Sequence, residues 1–277
     1  MNNNSSLIIE IRSLVYSYEK ASDESGFCVT LEELSLKRGE VASLTGVSGS
    51  GKSTLLECIG LIRDNFQAEF FSIKDQQAQR MSRADKAALR AGFLGFMPQN
   101  GGLLPYLTVR ENISLQIELA LKARLIKSSA SVIAEYLEGI LPTIEKFEML
   151  SCLDKYPEEL SIGQRQRAAF FKALSHKPEL ILIDEPTSSL DPANADLLFD
   201  TILRSCESLD TTALMVTHDV AAVRERHIKE YTYSTSKSSP SHSVFALSKD
   251  STPESGIEES LTNESISESA QVNGGPL

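Results

Sequence analysis

The sequence predicts an α/β fold built on a doubly wound, largely parallel sheet, and three observations lead to it. Gly46-Val47-Ser48-Gly49-Ser50-Gly51-Lys52-Ser53 has the spacing Gly, four residues, Gly-Lys-Ser, which belongs to a backbone loop that wraps phosphate oxygens. That octet lies between a short apolar run, Val41–Thr45, and a segment with Leu55, Leu56, Ile59 and Ile62 at helical spacing. A phosphate loop needs this strand–loop–helix setting. Two more apolar runs, 180–183 and 213–217, alternate with helical patterns, as expected of strands buried on both faces.

Taken in order, residues 7–18 and 27–36 read as two strands joined by a polar loop, 19–26. The phosphate-loop unit comes next. Its glycines let backbone N–H groups approach phosphate closely. Lys52 can reach β- and γ-phosphates, and the Ser53 hydroxyl can ligate Mg²⁺. A helix beginning near Gly51 aims its positive end at the same oxygens. Residues 68–73 form a weaker strand candidate. Ser82-Arg83-Ala84-Asp85 is a capping box opening a short helix to about Arg90. Residues 93–97 read as a strand stopped by Pro98.

From Gln99 to about Glu159 the pattern turns helical. Thr108-Val109-Arg110-Glu111 is a second capping box, after which Val109, Ile113, Ile117, Ala120 and Leu121 share one face. Pro142 and Pro157 punctuate the rest of the stretch. It reads as a helical insertion over about 99–160. The α/β pattern then resumes with the 180–183 strand, a helix start at Asp191-Pro192 and the 213–217 strand.

Composition narrows the classes. A chain of 277 residues makes one large domain or two small ones. Its formal net charge of −11 argues against duplex nucleic acid as a partner. No run approaches the ~18 apolar residues of a membrane span, and residues 1–6 show neither a basic start nor an apolar signal core, so a cytosolic protein is expected. Cys28, Cys58, Cys152 and Cys206 have no paired spacing and are expected to be buried or inert thiols. From Ser234 onward the chain is rich in Ser, Glu and Asn. The expected division is therefore a folded domain, 1–233, and an acidic tail, 234–277, that supports no packed core.

Chemistry concentrates at the strand ends. Asp184 and Glu185 close the 180–183 strand, at the ligand edge of an open α/β sheet. Asp184 can hold Mg²⁺ opposite Ser53, and Glu185 can act as general base on an attacking water. His218 comes after the 213–217 strand at the same edge and can donate to a γ-phosphate. Ser161 and Gln164 form a further capping box in Leu160-Ser161-Ile162-Gly163-Gln164. The helix it opens has its own positive end, although one phosphate-binding helix is already present.

These motifs together resemble the nucleotide-binding subunit of an ATP-binding-cassette transporter, over residues 7 to about 220. The Walker A loop is Gly46 to Ser53, the Q-loop is Gln99, and the signature is Leu160 to Gln164. Walker B is Leu180 to Glu185, the D-loop is Ser189-Leu190-Asp191, and the switch histidine is His218. The resemblance implies a P-loop NTPase (RecA-like) core with N-terminal antiparallel strands and an inserted helical subdomain. It implies ATP and Mg²⁺ as cofactors, with ATP bound by Tyr18 through adenine stacking and by Gly46, Val47, Ser48, Gly49, Ser50, Gly51, Lys52, Ser53 and Thr54. The neighbouring Tyr16 is the rival for the stacking role. Catalysis falls to Glu185, His218 and Gln99, and the metal to Ser53, Gln99 and Asp184. Ser161, Gly163, Gln164 and Asp191 act across a dimer.

The implied partners are a second cassette, joined on ATP binding, and integral-membrane permease subunits, with no nucleic acid. The implied place is the inner face of the cell membrane. Residues 81–90, 93–99 and 103–112 are similar to the lipoprotein-release and macrolide-export branch. Regulation of a membrane partner without transport stays open as the alternative. Cassettes acting on DNA or ribosomes usually carry two cassettes or a long coiled coil, and this chain has neither. Two departures stand out. Ile162 occupies a signature position usually held by Gly, which adds bulk and points to slower turnover. Residues 64–73 lack the usual Gly-containing turn, which puts the local antiparallel sheet in question.

Overall fold

The computed structural model describes residues 7–18, 26–236 and 239–248. Strands β1 (Leu7–Ser17) and β2 (Cys28–Lys37) pair antiparallel. Strand β3 (Val41–Thr45) leads through the glycine-rich loop into α1 (Lys52–Ile59). Then come β4 (Gln67–Ile73), the two-residue β5 (Gln76–Gln77), α2 (Arg83–Phe93) and β6 (Leu94–Met97). Helices α3 (Val109–Ala123) and α4 (Ala130–Lys146) make up the expected insertion. The chain closes with α5 (Ile162–Leu174), β7 (Leu180–Asp184), α6 (Pro192–Leu209), β8 (Thr212–Thr217), α7 (Val220–Glu225), β9 (Lys229–Ser236) and β10 (Ser239–Leu247).

The strands form one sheet in the order β5-β4-β1-β2-β10-β9-β3-β8-β7-β6. From β9 to β6 every pairing is parallel. Alternation along these strands splits the core into two layers. Leu180, Leu182, Leu214 and Val216 face α1 and the antiparallel strands, whereas Ile181, Ile183, Ala213 and Met215 face α3, α5 and α6. Helices therefore cover both faces of the parallel part, and its C-terminal strand ends stay open for a site.

Three expectations need correction. The fold does not end near Tyr233. Strand β10 pairs antiparallel with β9 and parallel with β2, and Phe245 is completely buried. Alternation of the buried Ser243 and Phe245 with the more exposed His242, Val244 and Ala246 supplies a core face that the Ser-rich composition conceals. The antiparallel sheet near 64–73 also forms without the glycine turn. β4 pairs with β1 from Ile9 and Ile73 to Val15 and Gln67, and Phe71 and Ile73 anchor it in the core. Pro142 lies inside α4 instead of ending it, at an exposed position, with the buried Ile140 and Ile144 on either side to hold the helix down.

Candidate functional site

The loop after β3 is shaped by glycine. Gly51 caps α1 at φ +94, a conformation that costs a side-chain-bearing residue energy. With no side chain there, Val29 and Phe27 pack 3.0–3.1 Å from where a Cβ would stand. The backbone N–H groups at the start of α1 are thus turned into a cleft of about 330 Å³. Tyr18, Phe27, Ser48, Gly49, Gly51, Lys52, Ser53, Thr54, Gln99 and Glu185 line it.

Polar side chains meet at the strand ends beside this cleft. The buried ammonium of Lys52 donates to the carbonyls of Gly46 and Val47 at 2.8 and 3.0 Å. It also lies 3.3 Å from Glu185 Oε1. The other Glu185 oxygen is 3.0 Å from His218 Nδ1. Ser53 Oγ donates to Asp184 Oδ1 at 2.9 Å. Burial raises the Asp184 carboxyl above its ordinary range, the Ser53 hydrogen bond opposes this, and the Glu185 charge adds to it. Glu185 holds φ +45, strained for a residue with a side chain, and its N–H is fixed to Val216 O at 2.9 Å. The strain turns the chain at the end of β7, where Glu185 meets both Lys52 and His218.

Tyr18 and Tyr16 part company. Tyr16 is buried in the core. Tyr18 is 37% exposed, lines the cleft and shares a 2.7 Å hydrogen bond with Thr54 Oγ1. Gln99 also reaches the cleft. Its carbonyl accepts from Gln166 Nε2 at 3.3 Å, and Lys172 donates to Gly102 O at 2.5 Å. Both donors belong to α5, so one helix fixes the loop after β6.

Ser161, Gly163, Gln164 and Asp191 are absent from the cleft lining. They form a second cluster, at the starts of α5 and α6. Ser161 caps α5 by accepting from Gln164 N, and Gln164 Oε1 accepts from Ser161 N. Asp191 caps α6 and accepts from the Asn194 amide and side chain. Asn194 Oδ1 lies 2.9 Å from the Cβ that any other residue would add at Gly163, so a side chain there would push the Asn194 amide aside. Ile162 is 55% exposed. Asn194, Lys172 and Phe27 had no signal in sequence spacing, since each acts through a partner remote in the chain. The thiols of Cys58, Cys152 and Cys206 are buried, and Cys28 is partly so. No helix among the described residues is long and apolar enough to cross a membrane.

The family model described as ABC transporter matches residues 31–188. One described as an AAA domain, putative AbiEii toxin of a type IV TA system, matches the shorter segment 155–224. The chain is 35% identical over 230 residues to the lipoprotein-releasing system ATP-binding protein LolD of Buchnera aphidicola subsp. Schizaphis graminum, covering 82% of this chain and 94% of that protein. It is 34% identical over 219 residues to the methionine import ATP-binding protein MetN 1 of Bacillus cereus strain ZK / E33L, covering 78% of this chain. The chain spans 59% of the length of that methionine-import relative. Among solved structures, the dimeric ATP-binding cassette MJ0796 in a post-hydrolysis state with ADP and Pi superposes with a TM-score of 0.66 at 25% identity. The match covers 81% of this chain and 93% of that one.

Proposed function

This chain belongs to the ABC transporter family, and from that premise we propose that it is the ATP-hydrolysing subunit of a membrane transporter. The observation that carries the reading is the meeting of Lys52, Ser53, Asp184, Glu185 and His218 beside one cleft. Each residue receives a role. The amides of 46–54 hold the phosphates, with Tyr18 against the base. Lys52 leaves its carbonyl partners and Glu185 for the β- and γ-phosphates. That move frees Glu185 to take a proton from the attacking water at its carboxylate. His218 orients that carboxylate through Nδ1, and its other ring nitrogen is assigned to the γ-phosphate. Ser53 Oγ and Asp184 Oδ1, 2.9 Å apart, are hard oxygen donors that fit Mg²⁺, with Gln99 in the same cleft. The ion, when bound, neutralises phosphate charge.

The second cluster is the reason for a dimer. Ser161, Gly163 and Gln164 stand at a helix start, the end that favours an anion, with Asp191 capping the neighbouring helix and all four outside their own subunit's cleft; we assign them to the nucleotide of a second copy. The related MJ0796 cassette is described as dimeric, which supports this. Relatives named for lipoprotein release and for methionine import both match. Release or export is favoured because the chain covers nearly all of the lipoprotein-release relative. The permease is then a separate chain, and this subunit sits at the inner face of the membrane.

Glu185→Gln tests the core of the reading. The variant should bind ATP, accumulate as a dimer on gel filtration and lose phosphate release. Steady-state hydrolysis near the wild-type rate would overturn the assignment.

A further inference from the structure

Helix α1 engages Tyr18 from both of its ends. Near its N-terminus, Thr54 Oγ1 shares a hydrogen bond with the Tyr18 hydroxyl at 2.7 Å. Past its C-terminus the chain turns through Gly60 and Leu61, the latter at φ +56, and Ile62 N donates back to Glu57 O at 2.8 Å. The turn folds Arg63 back along the helix. There Arg63 Nε donates to Glu57 Oε2, and Nη1 donates to the Tyr16 hydroxyl at 3.0 Å.

So anchored, the guanidinium carbon lies 5.3 Å from the Tyr16 ring centre and 5.5 Å from the Tyr18 ring centre. The two rings meet edge to face at 5.0 Å. Tyr18 lines the cleft and Arg63 does not, so the cation reaches the ring from outside the cleft. A guanidinium within about 6 Å of a ring is attracted to it. Its planar fork, fixed by two partners, loses little freedom in staying there.

We propose that Arg63 is a positioning residue for base recognition: held by Glu57 and Tyr16, it backs the Tyr18 ring and presents the ring's other side to a nucleobase. This rests on the nucleotide reading of the cleft. A ring already held in place gives up less freedom when the base arrives. The contribution falls on the base, because Arg63 touches the Tyr18 ring and does not line the cleft with the phosphate loop.

The test compares ATP with inorganic tripolyphosphate, which keeps the phosphates and lacks the base. Dissociation constants are measured by calorimetry on the full chain for wild type, Arg63→Met, Arg63→Lys, Glu57→Gln, Tyr18→Ala and the Tyr18→Ala/Arg63→Met double variant. Arg63→Met should weaken ATP about two- to fivefold, the size of an exposed cation–ring contact, and leave tripolyphosphate unchanged. Glu57→Gln, which loosens the anchor but keeps the cation, should shift ATP in the same direction by less. It provides the reading if Arg63→Met does not fold. Arg63→Lys should recover part of the loss, and the double variant should bind no worse than Tyr18→Ala. Two results overturn the proposal: ATP affinity unmoved in Arg63→Met while Tyr18→Ala weakens it, or equal weakening of ATP and tripolyphosphate. A wild-type chain that binds neither would remove the nucleotide reading, and this inference with it.

Discussion

Replacing Phe245 with Ala should destabilise the domain severely, although it falls in a stretch whose composition reads as tail. Phe245 is 0% exposed. Its ring lies 5.8 Å from that of Tyr233, and its strand is an interior member of the sheet, with β2 on one side and β9 on the other. Truncating a buried Phe to Ala costs ~3–5 kcal/mol through lost transfer energy and the cavity left behind. Part of that is the aromatic pair, ~0.5–1.5 kcal/mol. In a domain of this size each kcal/mol moves the melting temperature by roughly 2–4 °C, so a fall of about 10 °C is expected. Thermal unfolding monitored by circular dichroism reads it directly. Truncation after Tyr233 should be at least as damaging, because it opens the facing edges of β2 and β9. Truncation after Ser248 should change little, since residues 249–277 are polar and poor in apolar runs. A Phe245→Ala protein that melts within a degree or two of wild type would refute the reasoning.

The same geometry sets further expectations. Mixing Lys52→Ala subunits with Ser161→Ala subunits should recover ATPase activity that neither homodimer shows, because one composite site then escapes both lesions. Nucleotide crosslinks placing Ser161 beside its own subunit's ATP would contradict this. Ile162→Ala should raise turnover while leaving the melting temperature nearly unchanged, since the side chain is exposed; equal steady-state rates would show that its bulk does not slow the cycle. His176 is buried, its Nε2 lies 3.0 Å from Leu94 O, and burial lowers its pKa to about 4, with the Arg124 charge adding to the effect. A histidine harder to protonate folded than unfolded contributes nothing to pH dependence above about 6.5. Below that it costs stability progressively, until pH reaches about 4. The loss should approach ~3 kcal/mol. His176→Gln should flatten the urea-unfolding free energy between pH 7 and 5, and an unchanged slope would remove His176 as the cause.

Much of the fold was legible because its signals are local. The capping boxes at Ser82, Thr108 and Ser161 form as their three-residue spacing dictates, and Asp191-Pro192 opens α6. The phosphate loop could be read because its backbone conformation demands glycine in fixed places. The features that escaped depend on distance along the chain. Thr30 Oγ1 and His242 Nε2 meet at 2.7 Å across 212 residues, and no window on the sequence contains both. Arg63 gives no signal in the sequence, because its partner Tyr16 lies 47 residues upstream. The fit of Gly163 against Asn194 is likewise tertiary. The charge and Ser content of 234–277 outweighed the short alternation inside it, since composition averages over a window much longer than one strand.

The interior place of β10 also sets an order of events during synthesis. β2 is made early, and one of its neighbours in the sheet is made after every other described element in the chain. Until that strand emerges, β2 and β9 each present an unpaired edge, the kind of surface on which chains associate wrongly. Closing the sheet requires a contact between segments more than two hundred residues apart, which is slow to find. A nascent chain therefore passes through a long interval in which the nucleotide loop and its strand already exist while the sheet beside them is unfinished. A ligand that binds the loop during that interval would stabilise the half-built domain by mass action, so nucleotide supply would bear on how much of the protein matures.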